Sequence, residues 1–190
     1  YDRSVAVDPL CTSCLYHLSR NYMYAGEWDK AVEARERVLL ISEGGGYYHY
    51  GIMKLMQGKA EAALEIFEGS HLGGSGRPAG RAMALHVLER HEESDAALAA
   101  LIEDWGAREP EVVAGVYAFR NEKDAAFEWL DKVFQVPTNP VSGKNSLIEA
   151  VTSFLMRNLH DDPRWEQFRT KVGMPTELIE SIEFSVELPD

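Results

Sequence analysis

Cys11 and Cys14 stand three residues apart in "CTSCLYHLSR", and His17 follows three residues later. A C-x-x-C pair at the start of a helix can cycle between dithiol and disulfide, and Cys with His can ligate zinc. A thioredoxin-type centre expects a strand ahead of the pair, whereas a structural zinc site expects four ligands and only His17 is near. Free cysteine is otherwise a small buried hydrophobe, and packing is the stronger expectation for both positions. Two cysteines in 190 residues argue against a disulfide-stapled secreted fold and fit a reducing, cytoplasmic compartment.

Three other stretches invite a chemical reading. "GGSGRPAGR", Gly73 to Arg81, is as glycine-rich as a phosphate loop, but it lacks the terminal Lys and hydroxyl of G-x-x-x-x-G-K-[ST] and reads as a flexible connection. "HDDPRW" offers His160 beside Asp161 and Asp162. Adjacent carboxylates do not face one another on a helix, so Asp162 is expected to cap a helix that begins at Pro163. His86 and His91 are five apart and diverge around a helix. No nucleophile has a base and an orienting acid at a readable spacing, so the expectation is no catalytic residue, no cofactor and no metal.

The elements that carry these residues recur. "GEWDKAVE", "GKAEAALE", "EESDAALA" and "NEKDAAFE" align without gaps on Ala31, Ala63, Ala97 and Ala126, at intervals of 32, 34 and 29 residues. That spacing lies close to the 34-residue tetratricopeptide period, a helical hairpin whose small and aromatic positions are fixed. Leu15, Leu18, Ser19 and Tyr22 match the first helix of one unit, although Arg35 stands where its second helix expects an aromatic. Tyr47, Tyr50, Gly51, Ala63 and Phe67 match the next, with Lys54 at another aromatic position. The third unit is weaker, and the fourth recovers with Val113, Ala114, Tyr117 and Ala126. Small residues such as Ser19, Gly51 and Ala114 let paired helices approach closely. Gly26 and Gly58 suit left-handed helix ends, and Glu92 and Asn121 take that place in the third and fourth turns.

The fold expected is therefore all-α, one continuous α-α superhelix of about four hairpins plus capping helices. Residues 1–10 read as the tail of a preceding unit, so that Tyr1 resembles a cut inside a longer protein. Units follow at about 11–43, 44–76, 77–106 and 107–135. A loop and capping helices occupy 136–175, with one helix over 146–159. In the tail, 176–190, Ile182, Phe184, Val186 and Leu188 alternate as a strand would.

Two segments go beyond generic repeat spacing: "VYAFRNEKDAAFEWLDKVF" and "DDPRWEQFRTKVGMP", in this order, with a loop and a helix between them. They resemble the C-terminal end of bacterial multidomain regulators, in which a winged-helix, nucleotide cyclase or Ser/Thr kinase domain precedes a tetratricopeptide array. The resemblance covers roughly 5–175 and implies an interaction or sensory module attached to an output domain.

Arrays of this kind bind on the face formed by their first helices. Opposite the packing seam the sequence places Tyr16, Arg20 and Tyr24, then Tyr48, Ile52 and Leu55, then His86 and Arg90, and later Phe119. Aromatics and Arg are the types enriched at binding hot spots, although Tyr48, Ile52 and Leu55 are also read as packing residues. A net charge of −12 repels phosphate backbones and anionic headgroups, and no run approaches the length of a membrane span. The leading expectation is a non-catalytic scaffold for a protein or peptide, or for a second copy of the chain, with no nucleic acid or membrane engaged through this segment. The alternatives are a small-molecule sensor with an enclosed aromatic pocket and a thiol or metal module at Cys11 and Cys14.

Overall fold

The computed structural model describes residues 2–42, 46–137 and 146–182, and every regular element among them is helical. The chain divides into two compact units, Tyr1–Trp105 and Gly106–Asp190.

In the first unit α1 (Asp2–Val7) precedes three hairpins: α2 (Thr12–Ala25) with α3 (Trp28–Ile41), α4 (Tyr47–Met56) with α5 (Ala60–Glu68), and α6 (Gly76–Val87) with α7 (His91–Trp105). Each hairpin turns through a left-handed residue. Gly26 and Gly58 both sit at φ 76, as their positions dictate, because glycine enters that region without steric cost. The third turn differs from expectation. Glu89, at φ 58, makes it, and Glu92 is already inside α7. With no glycine in "VLERHEE" the turn has no sequence mark, and its position is set by backbone N–H groups of Glu89 and Arg90 returning to His86 and Leu85 carbonyls at 3.1 and 2.9 Å.

The hairpins pack through small residues. Ser19, Ala31 and Ala63 are wholly buried. Phe67 of α5 is sandwiched more tightly still: a Cβ on Gly51 of α4 or on Gly80 of α6 would overlap its ring. Gly76 likewise lies against Tyr48, whose ring carbon would be 3.2 Å from an added Cβ. The glycine-rich run is therefore not all loop, since α6 begins at Gly76 and uses these glycines for close packing. Lys54, at an expected aromatic position, reaches back to α3, where Glu36 accepts from its Nζ at 2.9 Å and from the Tyr50 hydroxyl at 2.8 Å.

In the second unit α8 (Pro110–Phe119) pairs with α9 (Lys123–Val133) through Asn121 at φ 62, the expected turn residue. Then come α10 (Ser146–Thr152), a 3-10 segment (Phe154–Leu159), α11 (Pro163–Val172) and α12 (Thr176–Glu180). The single helix expected over 146–159 is broken at Ser153, which is extended at ψ 125. Thr152 bonds back to the Ile148 carbonyl at 2.8 Å, a contact that weakens helices locally. The break lets Met156 and Leu159 both reach the core that holds Ala114, Phe127, Leu130, Trp165 and Phe168. Asp162 caps α11 as its sequence indicates, accepting from the Arg164 N–H at 3.0 Å. Thr176–Glu180 is helical and not extended, while Phe184, Val186 and Leu188 lie outside the described residues.

Candidate functional site

One face of α2, the buried Arg35 of α3 and the first turn of α4 bring together the residues with the most chemical character. Tyr16, Arg20 and Tyr24 follow one another at four-residue spacing along α2, so they share a face. Arg20 lies 5.8 Å from the Tyr24 ring centroid and its Nη2 donates to the Tyr24 hydroxyl at 3.4 Å. Tyr24 is 37% exposed; Tyr16 and Arg20 are half-buried.

Beneath Tyr16 lies a residue of another kind. Arg35 of α3 is fully buried, and its Nε, Nη1 and Nη2 reach no hydrogen-bond acceptor. Its guanidinium carbon stacks 4.2 Å from the centroid of the Tyr16 ring. Burial lowers the Arg35 pKa, the Tyr16 side chain opposes that shift, and the positive charge of Arg20 adds to it. A desolvated cation costs several kcal/mol, and a ring face returns about 2 kcal/mol, so Tyr16 offsets only part of the burial. The fork points at the start of α4: Arg35 Nη1 occupies the space that a side chain at Gly46 would need. Gly46, at φ 87, is the N-cap of α4, where no side chain caps the first turn and no acidic residue occupies it.

His49 is in that turn. Burial, followed by the charges of Arg35 and Arg20, drives its imidazole pKa down to about 4, so it is neutral near pH 7. The cluster is thus cationic through its two arginines, in a chain whose overall charge is −12.

The other expected face residues separate. Ile52 and Leu55 are 1% and 5% exposed, so they are core and offer nothing to a partner. Their place on the face of α4 is a correction with a simple cause: both α5 and α6 pack against that helix. Tyr48 is half-buried, with its ring centroid 6.2 Å from that of Phe67. His86 does not diverge from His91. The left-handed turn at Glu89 puts them on different helices, and their rings meet edge-on at 5.6 Å. Arg90 is engaged by Glu93 through two bonds of 2.7 and 2.6 Å. Phe119 is half-buried on α8, in the second unit.

Cys11 and Cys14 are joined in a disulfide, and neither is fully buried. The expectation of two free, buried thiols is therefore overturned. Cys11 is the N-cap of α2 and its Sγ accepts from the Cys14 N–H at 3.2 Å, so the pair fastens the first turn of the helix that carries Tyr16 and Arg20. Such a bond persists in an oxidising compartment, or in a reducing one as an exchanging pair.

The "HDDPRW" stretch is structural. His160 stacks on Trp165 at 4.9 Å, and Asp162 accepts from Arg164 Nε and Nη2 at 2.9 and 2.8 Å. No group of three or more His, Cys, Asp or Glu among the described residues is placed to hold a metal, and no described helix is long and apolar enough to cross a membrane. Arg35 has one sequence signal, its departure from the aromatic repeat position; Gly46 and His49 have none that distinguishes them from an inter-repeat joint. No protein-family model matches this chain, and none of the curated proteins compared with it does.

Proposed function

We propose that the chain is a non-catalytic interaction module, a tetratricopeptide-like α-solenoid array from a larger bacterial signalling protein, which takes a peptide or partner domain against the first helices of its hairpins. The observation that carries this reading is the register of the hairpin contacts. Phe67 lies between Gly51 of its own hairpin and Gly80 of the next, so a large residue meets small ones where the repeat requires close approach. A hairpin cannot bury its own apolar face, and stacked hairpins leave one face of their first helices for a ligand. On α2 that face carries Tyr16, Arg20 and Tyr24, with large contact area, few rotors and a planar donor fork.

The test uses a random peptide library displayed against the full chain, followed by affinity measurements on the selected peptides. Tyr24→Ala is expected to weaken them at least about tenfold, as hot-spot truncations do, with the helical circular-dichroism spectrum retained, since Tyr24 lies outside the buried core. A library that yields no binder, or peptides indifferent to both Tyr24→Ala and Arg20→Gln, refutes the reading.

A further inference from the structure

We propose that Arg35, with Arg20, Tyr16 and the first turn of α4, forms a binding site for a small oxyanion, a phosphoryl group or a carboxylate. Three independent features converge on it. Arg35 is wholly buried with all three guanidinium nitrogens unpartnered, and a planar five-donor fork in that state is complementary to a bidentate oxyanion. The fork is aimed at Gly46, the N-cap of a ten-residue helix whose first turn has neither a side-chain cap nor an acidic residue; that end carries partial positive charge and N–H groups directed outward. Arg20 is close enough for its charge to act on both Arg35 and His49, so a second cation stands at a place where like charges repel.

The chain has 31 carboxylate side chains, yet no described one reaches Arg35. A guanidinium buried without a counter-ion, with the charge of a second arginine acting on it, is unfavourable in the empty protein, and an anion against the fork offsets both the desolvation and the repulsion. Arg35 is the floor of the site and is closed to solvent in this structure, and Tyr16, Arg20 and His49 beside it are each only partly buried. Neutral His49 keeps one nitrogen as a donor without adding to the repulsion. Glycine at 46 is required twice over, for its left-handed backbone and because any Cβ would displace the Arg35 fork.

The site shares Tyr16 and Arg20 with the proposed peptide face but needs no peptide, so the probes are the anions alone. The full chain is titrated with sodium phosphate and, separately, sodium acetate, each against sodium chloride at matched ionic strength, by thermal melting and by NMR of the His49 ring protons. Saturable stabilisation by phosphate alone assigns a phosphoryl site; stabilisation by acetate as well assigns a carboxylate-accepting one. In either case His49 should titrate at a higher pH when the anion is bound, since the anion offsets the two guanidinium charges. Arg35→Met should abolish the anion effect and, in anion-free buffer, melt at or above the wild-type temperature, because it removes an unpaired buried charge. Arg20→Gln, beside Arg35, should weaken the anion at least about tenfold, the loss of one charge-assisted contact, while leaving the fold intact. The inference is overturned if neither anion stabilises beyond chloride, or if Arg35→Met responds to them as the wild type does. A protein that binds selected peptides but neither anion loses this site and keeps its peptide face.

Discussion

Gly80→Ala should destabilise the protein even though it places a better helix former in the interior of α6. The intrinsic gain from Gly to Ala in a helix is about 0.8–1 kcal/mol. Against it stands the Phe67 ring, three of whose carbons lie well inside contact distance of an added methyl. The ring cannot retreat, since it is fully buried and a Cβ at Gly51, across it, would also overlap. Overpacking of this kind costs about 1–3 kcal/mol, and with two closed sides the upper half of that range applies. The net expectation is a loss of about 1–2 kcal/mol. The decisive measurement is a double-mutant cycle with Phe67→Leu, read as urea midpoints and slopes by circular dichroism. In the Phe67→Leu background the methyl has room, so Gly80→Ala should become neutral or stabilising by up to about 1 kcal/mol. The coupling between the two positions is then roughly 1–3 kcal/mol. If Gly80→Ala stabilises the protein with Phe67 in place, or if the two substitutions are additive, the interleaving of the second and third hairpins through this ring is wrong.

The Cys11–Cys14 bond closes only a very short loop, so Cys11→Ser with Cys14→Ser should cost about 2 kcal/mol or less by chain entropy, measured by urea unfolding with and without dithiothreitol. The reduction potential of the same pair separates its roles: a value below about −300 mV marks a structural staple, and one near −270 to −180 mV marks a pair that exchanges with cellular dithiols. Asp162 is held at a pKa of about 2, first by the Arg164 side chain and then by the Arg164 N–H. Because the folded value lies below the unfolded one, its contribution is complete above roughly pH 4 and is lost as pH falls toward 2. Asp162→Asn should therefore melt lower at pH 7 and show a shallower decline between about pH 4 and 2 in thermal scans. An unchanged decline would show that the Arg164 contacts do not hold the carboxylate.

Most of the helical order is legible because each element carries its own local signal. The left-handed turns at Gly26, Gly58 and Asn121, the cap at Asp162 ahead of Pro163 and the recurrence of Ala31, Ala63, Ala97 and Ala126 all depend on backbone preferences within a few residues. Where that signal is absent, sequence and structure part. The repeat alignment puts the third turn at Glu92, whereas Glu89 makes it, and a continuous apolar pattern hides the break at Ser153. Thr176–Glu180 is helical, with Thr176 tied to Glu166 of the preceding helix: its N–H donates at 2.9 Å and its hydroxyl at 2.5 Å. That contact spans ten residues and has no periodicity.

The amino-acid sequence determined by itself the all-α character, the recurrence of helical hairpins and the turns at Gly26, Gly58 and Asn121, since propensity and capping act over one or two turns. Tertiary structure alone decided what those residues are for. Ile52 and Leu55 became core because neighbouring helices cover them, His86 met His91 because a turn lies between them, and the two cysteines closed into a bond. The same holds most sharply for Arg35. Its type was visible, but burial, an unpartnered fork and an uncapped helix start opposite it are properties of three helices meeting, and short-range pattern holds no record of which charges packing will strip of water.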